Sequence, residues 1–526
     1  MESLQNRKNY LGVIFVVLIV VLIQILFVNM IRHKWVPNPD INQNIIFSDN
    51  LAANGSLPIE SSLNKEFSDF QIFGPRGVVV RDGNLYPTSM IGYIYELGVF
   101  KTLGAYLIYF SNPFFCAIVL FYVYRLALIL VGDKKYALLA MFFFALNPAF
   151  IFVSSMPYNN MLALVFFFAA AYYAVSFLKS AHSESLNPSH FWLFLIFSII
   201  SFWVRYSIAV FLFPILALTL FNKRIRNYVF KIEKGSIGIF IGFVFLIFIA
   251  ANFVIYDNFL GFLRPGNVLN AYEHFSAPLK ELSLPERIVK FNPVLFFSNL
   301  QNQVIAVSPI ICLFAFLNIF LLKRRGGALK IALFFIVFMQ FAFYLGREWS
   351  GVSFVGSVGT SYARYLLPSW GILSIMAADF LYIFLESKTT LFLIVTSFLA
   401  LSVNTALNSN MAYVYFNNSV AWSYNLQSQI EINTPEDSIF FVTVSDKYFY
   451  PLRETAIYTT IPEEERLDKT VWVINALLDR KISIYFIDED KTGIEKAKIF
   501  SYFEENGLSA NYSFGGNVYE IQKQIN

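Results

Sequence analysis

The sequence predicts a polytopic α-helical membrane protein of about eleven transmembrane helices, followed by a small soluble α/β domain. Apolar runs long enough to cross a bilayer recur from residue 10 to about residue 407 of the 526-residue chain. Roughly 20 apolar residues in a helix cross about 30 Å of hydrocarbon, and only a backbone that satisfies its own hydrogen bonds is stable there. The composition agrees, because 57% of the residues are hydrophobic and 14% are charged.

The predicted spans follow from these runs. The first, 10–30, is longer than a signal-peptide core, so we expect a retained helix. A long polar loop, 31–106, follows, and its last part, 90–106, is amphipathic rather than spanning. Arg205 separates two short runs, which we interpret as tilted helices that meet at the membrane surface. The other predicted spans are 107–131, 136–155, 160–178, 191–204, 206–221, 236–256, 303–322, 330–345, 366–385 and 390–407.

Basic residues occupy alternate gaps between the spans. Cytoplasmic loops carry the excess of Lys and Arg, so the pattern predicts a cytoplasmic N-terminus. The loops 31–106, 257–302 and 346–365 and the C-terminal domain are then extracytoplasmic, in a cell membrane or, in a eukaryote, the endoplasmic reticulum. The cationic positions on the predicted cytoplasmic side are Arg7, Lys8, Lys134, Lys135, Lys179, Lys223, Arg224, Arg226, Lys231, Lys234, Lys323, Arg324, Arg325, Lys330 and Lys388.

The last part of the chain changes character. Strand-length apolar runs lie at 438–444 and 482–487, and helical spacing occurs at 470–478 and 493–506. We therefore divide the chain into a membrane domain, 1–407, which includes the loop 31–106, and a soluble α/β domain, 408–526. The net charge of +4 without a long basic run argues against a nucleic-acid partner.

Asp40 is the first candidate for chemistry. It follows two prolines, and the spacing of apolar residues after it predicts a helix over 41–53 that stops at Asn54-Gly55. A carboxylate is favoured at a helix N-terminus, where exposed N–H groups point at it. Two interpretations stay open at this point: a structural N-terminal cap, or a general base at the membrane surface.

Two arginines are the next candidates. Arg364 lies where an extracytoplasmic loop enters a span, and Arg205 lies at the break between two apolar runs. Ionisable groups in such positions are rare and indicate function. Each side chain has two interpretations, either snorkelling to the interface or gripping a phosphate with parallel N–H donors.

A third candidate element is Asn147-Pro148 with Tyr158-Asn159-Asn160, between two spans on the extracytoplasmic side. Proline and amides also punctuate tight turns, so this pattern alone does not distinguish a turn from a site. The four histidines are scattered, and neither CxxC nor CxxH spacing occurs, so no metal ligand set is predicted.

Together these residues resemble the GT-C glycosyltransferases, and in particular the glycosyltransferase family 39-like group of protein O-mannosyltransferases and bacterial aminoarabinose transferases. The order of short motifs along the chain carries the resemblance. Two departures occur, since Ile41 follows Asp40 where the family usually has Asp-Glu, and Asn160 stands where relatives usually have an acid. The similar segments are Asp40 to Gly55, Asp82-Gly83-Asn84-Leu85-Tyr86-Pro87, Leu146-Asn147-Pro148, Val204-Arg205-Tyr206, Arg364-Tyr365-Leu366-Leu367-Pro368 and Asn433-Thr434-Pro435-Glu436-Asp437.

The resemblance implies a membrane glycosyltransferase that moves a hexose or pentose, with inversion, from a polyprenyl-phosphate-linked donor to a hydroxyl of a lipid, glycan or protein acceptor. On this basis Asp40 is the catalytic base, while Arg364 and Arg205 bind the donor phosphate. No cofactor follows from the sequence, and the participation of a divalent cation is left open. The residues expected to line the substrate site are Asp49, Asp69, Asp82, Tyr158, Asn160 and Tyr365.

Two other classes are weighed against this one. A transporter or lipid flippase typically has internal repeats and broken helices near the membrane midplane, whereas no repeat is visible here and the polar candidates gather at one predicted face. A non-catalytic membrane scaffold with a soluble binding tail would tolerate substitution of Asp40.

Overall fold

The structure is a computed structural model that describes most of the chain. Apart from a few helical positions between 14 and 25, the described residues are 39–68, 72–75, 78–87, 91–154, 158–180, 187–221, 291–320, 327–346, 361–385, 387–408, 424–442, 446–457, 464–487, 494–514 and 517–524. The predicted span 236–256 and most of the predicted span 10–30 lie outside these residues.

The loop after the first predicted span folds into helices and a small sheet. Helix α1, Pro39–Asn54, begins with proline at its first position, where the missing N–H costs nothing, and Gly55 follows it with φ +65°. This confirms the helix predicted over 41–53. The remaining elements are β1 Ile59–Glu60, α2 Ser62–Glu66, β2 Val78–Arg81, β3 Asn84–Pro87 and α3 Ile91–Leu103, and the strands pair antiparallel in the order β1-β3-β2.

A series of apolar helices follows. Their bounds are α4 Ile108–Val131, α5 Lys134–Ala145, α6 Pro148–Ser154, α7 Asn160–Ser180, α8 Pro188–Ala209, α9 Phe213–Phe221, α10 Pro293–Asn299, α11 Pro309–Ile319, α12 Gly327–Tyr344, α13 Ser361–Tyr365, α14 Leu367–Phe384 and α15 Lys388–Asn408.

Local chemistry explains several of the helix ends. Gly132 ends α4 with φ +83°, a conformation that costs glycine little. Asp133 then caps α5 by accepting hydrogen bonds from the backbone N–H groups of Lys135 and Tyr136. Asn147 accepts from the N–H of Ala149 in the same way, at 3.0 Å, at the start of α6. These caps turn the chain sharply between apolar helices.

Within the described residues, five helices are long and apolar enough to cross a membrane, or up to seven spans if each of two bent pairs counts as one. The five helical spans are Ile108–Val131, Asn160–Ser180, Pro188–Arg205, Leu367–Phe384 and Lys388–Thr405, and the bent pairs are Lys134–Ala145 with Pro148–Ser154 and Pro293–Ile305 with Pro309–Ile319. The chain is therefore a mostly helical membrane protein.

One predicted span has a different form. The sequence predicted a single helix over 303–322, but α10 continues as a π-helical turn, Leu300–Ile305, and α11 then departs at an angle of 113°. The prediction was wrong at its N-terminal end. The reason is Pro309, which starts α11 and has no N–H to donate to the preceding turn.

The C-terminal segment forms a five-stranded sheet flanked by helices. Strands β4 and β6 pair in parallel, whereas β8 pairs antiparallel with both β6 and β7. The sheet order is β5-β4-β6-β8-β7. The elements are β4 Ile439–Val442, α16 Asp446–Phe449, β5 Glu454–Ile457, α17 Glu464–Asp479, β6 Ile484–Ile487, α18 Ile494–Glu505, β7 Leu508–Phe514 and β8 Val518–Lys523.

The chain folds as two compact units. The membrane unit contains 1–30, 106–248 and 285–416, and the sheet unit contains 31–105, 249–284 and 417–526. In the sheet unit, residues of the first loop complete the C-terminal sheet: Phe73 forms an antiparallel bridge with Ala456, and the N–H of Gly74 donates to the carbonyl of Thr455 at 2.7 Å. Two segments far apart in sequence thus share one core.

A buried ion pair lies inside the membrane unit. Lys330 Nζ is 2.5 Å from Asp379 Oδ2, and each side chain is about 5% exposed or less. Asn318 donates from Nδ2 to the same carboxylate oxygen at 3.0 Å and to the carbonyl of Met376 at 2.7 Å. These contacts join α11, α12 and α14. Removing one partner of the buried pair would leave an uncompensated charge, which is strongly destabilising.

Candidate functional site

Arg205 occupies a break in an apolar helix. Its backbone has φ −159° and ψ 91°, which interrupts α8 and separates the two short helical runs predicted from the sequence. The side chain is only 7% exposed. One guanidinium nitrogen, Nη1, donates to Asn159 Oδ1 and lies 3.4 Å from Asn160 Oδ1. Its Nε is buried and has no hydrogen-bond partner among the described residues.

The Tyr158-Asn159-Asn160 segment connects several helices of the membrane unit. Asn112, in the first turns of α4, donates from Nδ2 to the carbonyl of Tyr158 at 2.9 Å. Asn160, which is fully buried, donates from Nδ2 to the carbonyl of Arg364 at 3.0 Å. The amide of Asn160 therefore contacts the side chain of Arg205 and the backbone of Arg364 at once.

Arg364 lies in the short helix α13, at the entrance to α14. Its guanidinium carbon is 4.6 Å from the ring centroid of Tyr158 and 5.6 Å from that of Tyr365. The guanidinium carbon of Arg205 is 5.1 Å from the same Tyr365 ring. Tyr344 stacks on this ring with a centroid distance of 4.8 Å. Two arginines thus converge on one aromatic ring, which attracts each cation through its electron-rich face.

We call Tyr158, Asn159, Asn160, Arg205, Arg364 and Tyr365 the arginine cluster. It contains two permanent cations and no carboxylate, so its positive charge is not balanced from within. A buried, unpaired N–H of a guanidinium is costly unless an acceptor reaches it. This arrangement is suited to binding an anion, and a phosphate matches the planar donor geometry of arginine.

The predicted carboxylates lie in the sheet unit. For Asp40 the structure describes the backbone only, as the second residue of α1. Asp49 pairs with Lys101, which joins α1 to α3. Asp82 is at the tip of the β2–β3 hairpin with φ +50°, and Arg81 Nε lies 3.4 Å from its carboxylate. Asp69 lies outside the described residues.

Glu96 is a carboxylate that the sequence did not single out. It lies in α3, and both of its carboxylate oxygens are buried with no hydrogen-bond partner among the described residues. Burial disfavours the charged form and raises the pKa of Glu96 from 4.5 to about 8. It is therefore a protonated carboxylic acid at neutral pH. The only sequence signal is that Glu96 is the single acid in the amphipathic stretch 90–106.

In the described part of the chain, no three His, Cys, Asp or Glu side chains are grouped so that they could hold a metal ion. The arginine cluster itself offers amide oxygens but no carboxylate, which divalent cations prefer.

All six residues of the arginine cluster were candidates from the sequence, and the structure adds Tyr344 beside them. Tyr158, Asn160, Arg205, Arg364 and Tyr365 all lie in the arginine cluster, although they span more than 200 positions of sequence. Tyr344, which stacks on the cluster, was not identified, because it is one of 30 tyrosines and lies at the end of an apolar run.

Comparisons with known proteins were made for the whole chain. No family model and no curated protein matches the sequence. Among solved structures, ArnT from Cupriavidus metallidurans bound to undecaprenyl phosphate is similar over 97% of both chains, with a TM-score of 0.54 and 10% identity. The apo oligosaccharyltransferase of Archaeoglobus fulgidus is similar over 97% of this chain and 74% of its own, with a TM-score of 0.58 and 11% identity.

A third similar structure is the mycobacterial arabinofuranosyltransferase AftD. It covers 98% of this chain and 40% of its own length, with a TM-score of 0.51 and 12% identity. All three proteins are GT-C glycosyltransferases. The chain therefore resembles the GT-C superfamily in fold, as the order of sequence motifs predicted.

Proposed function

We propose that this protein is a membrane glycosyltransferase that moves a sugar from a polyprenyl-phosphate-linked donor to a hydroxyl acceptor at the extracytoplasmic face. The observation that carries the proposal is the arginine cluster, in which Arg205 and Arg364 converge on Tyr365 within a GT-C fold. The ArnT structure contains undecaprenyl phosphate, and an Archaeoglobus oligosaccharyltransferase structure contains dolichol-phosphate and an inhibitory peptide. These ligands support the donor class.

The arginine cluster binds the donor phosphate in this proposal. When the bond between the sugar carbon and the phosphate oxygen breaks, negative charge develops on the departing polyprenyl phosphate. Positioned donors in a low-dielectric site stabilise such charge strongly. Arg364 is the principal phosphate ligand. Arg205 supports it through its Nε–H, which has no partner in the described part of the chain. Tyr158, Asn160 and Tyr365 hold the two guanidiniums in place and contact the substrate.

Asp40 is the proposed general base. The acceptor hydroxyl oxygen forms a bond to the sugar carbon as the phosphate leaves, and the hydroxyl proton passes to the Asp40 carboxylate. One displacement inverts the configuration at that carbon. Asp49 and Asp69 are the reserve candidates, and the ion pair of Asp49 with Lys101 favours Asp40 over Asp49. Asp82 would contact a substrate from the hairpin tip.

The proposed topology has about eleven spans, with the N-terminus cytoplasmic and the long first loop and C-terminal domain outside. The soluble domain, 408–526, would select the lipid, glycan or protein acceptor. A donor whose tail stays in the bilayer presents its sugar at the interface, so a site at the ends of helices suits this substrate.

The test is a transfer assay on the full-length protein with a panel of labelled polyprenyl-phosphate sugars. Asp40→Asn should abolish transfer, because an amide cannot accept the proton. Arg364→Ala should lower kcat/KM for the donor by about 10- to 100-fold, the range expected for a lost hydrogen bond to a charged group. The dependence on acceptor concentration should change much less.

Arg125→Ala is the matched control. Arg125 is also an arginine of the membrane unit held over aromatic rings, 5.3 Å from Tyr172, but it lies 13 residues beyond Asn112 in α4, about 20 Å along the helix. It should leave donor kinetics unchanged. Full activity of Asp40→Asn, or equal effects of the Arg364 and Arg125 variants, would contradict the assigned roles.

A further inference from the structure

A crevice of about 440 Å³ opens between α5 and α15 in the membrane unit. Its walls are mainly apolar side chains of these two helices, and its mouth is formed where the helices begin. Tyr136 bridges the mouth to the end of α14, because its hydroxyl donates to the carbonyl of Leu385 at 3.1 Å. The crevice has no role in the proposed transfer reaction.

The crevice lies far from the arginine cluster. Arg364 lies three residues before the first residue of α14, whereas Leu385 directly follows its last. The 18 residues of α14 span about 27 Å, which is close to the thickness of a bilayer core. The arginine cluster and the crevice therefore lie at opposite ends of the membrane unit, and a ligand of the crevice is not the reacting donor.

The lining changes from charged to apolar along both helices. On α5, Lys135 at the mouth is followed by Leu138, Leu139 and Phe142, and on α15, Lys388 is followed by Leu391 and Val395. These spacings place each lysine on the same helix face as the apolar residues. Each set extends about 10 Å along its helix. The crevice is thus cationic at its mouth and apolar inside.

The mouth also contains Asp133, whose carboxylate is already engaged. Its Oδ1 accepts hydrogen bonds from the N–H groups of Lys135, at 2.8 Å, and Tyr136, at 3.2 Å. Two lysines line the crevice against this single carboxylate, so the lining residues carry an excess of positive charge. At the inner end, the ring of Phe142 contacts Phe398.

We propose that this crevice binds a membrane phospholipid with an anionic headgroup. Lys135 and Lys388 contact the phosphate region, and the first part of one acyl chain lies along Leu139 and Leu391. A neutral or zwitterionic lipid would fill the apolar part equally well but would leave the cationic excess unbalanced. A lysine near a membrane surface strengthens binding of anionic lipid by about fivefold.

The experiment is photo-crosslinking of the full-length protein in nanodiscs. Phosphatidylglycerol or phosphatidylcholine carries a diazirine near the start of one acyl chain, and mass spectrometry locates the labelled peptides. Labelling of 135–142 and 388–395 should be at least about fivefold greater with phosphatidylglycerol. Lys135→Gln with Lys388→Gln should bring the two lipids to parity, whereas Leu139→Trp should reduce labelling by both.

Lys134→Gln is the control, since Lys134 is exposed beside Lys135 but does not line the crevice. It removes one charge from the same end of the membrane unit and should preserve the preference for phosphatidylglycerol. Equal labelling by the two lipids in the parent protein would overturn the proposal. So would a loss of preference in Lys134→Gln as large as in Lys135→Gln alone.

Discussion

At the scale of single residues, Tyr365 is the feature that joins the two arginines. Its ring lies within 6 Å of both guanidinium carbons and stacks on Tyr344. Cation–π contacts are stronger in a desolvated setting, so the ring holds two like charges near each other without neutralising them. A site that binds and releases an anion needs cationic groups whose positions are fixed in this way.

Glu96 gives a residue-scale prediction on pH. Its pKa is about 8 in the folded protein and 4.5 when exposed, so folding carries no penalty from Glu96 below pH 4.5 and a growing one between pH 4.5 and 8. Glu96→Gln removes that penalty. The melting temperature of the Glu96→Gln protein should equal that of the parent protein near pH 4.5 and exceed it by several degrees at pH 8.5.

Glu60→Gln is the control for this measurement. Glu60 is exposed, and the hydrogen bond and charge of Lys65 lower its pKa, so its substitution should cost a little stability above pH 4.5 and gain none. A Glu96 variant whose melting temperature tracks that of the parent protein across the pH range would show that Glu96 is not protonated by burial.

At the scale of elements, local signals predicted much of the fold. Alternation and helical spacing predicted β4, β6 and α18 within a few residues, because each pattern repeats within one element. The same spacing predicted only the C-terminal part of α17. The sequence predicted one span over 136–155, whereas the structure bends by 64° between α5 and α6. The Asn147-Pro148 pair at this bend had been interpreted either as a turn or as part of a site. The bend at Pro309 was missed, because the apolar run continues through it.

Contacts between distant elements were not predictable in this way. Phe67 and Phe73 of the first loop pack in the core of the C-terminal sheet with Ile439 and Phe441, and Glu66 pairs with Arg480. These residues are several hundred positions apart, and no periodicity links them. The residues of the arginine cluster were singled out as polar groups in apolar sequence and by their resemblance to GT-C motifs. The contacts that join them appear only in three dimensions.

Phe73→Ala tests this shared core at the scale of elements. Phe73 is fully buried, and truncating a buried phenylalanine costs about 3–5 kcal/mol. We expect faster hydrogen–deuterium exchange in β4 and β5, although the substitution lies in the first loop. Ile432→Ala, at a side chain 81% exposed, should leave both strands protected. Unchanged exchange in β4 and β5 of Phe73→Ala would refute the shared core.

At the scale of the whole molecule, the proposed reaction requires that the Asp40 carboxylate and the Arg364 guanidinium act at the same face of the bilayer. Membrane-impermeant maleimide labelling of single-cysteine variants in sealed, oriented vesicles tests this most directly. The native Cys116 and Cys312 are buried and give little background. Lys388→Cys marks the opposite end of α14 from Arg364.

The expected result is that Asp40→Cys and Arg364→Cys react from the same side, and that Lys388→Cys reacts only from the other. Labelling of Asp40→Cys from the side of Lys388→Cys would separate the proposed base from the phosphate ligands by the thickness of the membrane and would contradict the proposed reaction.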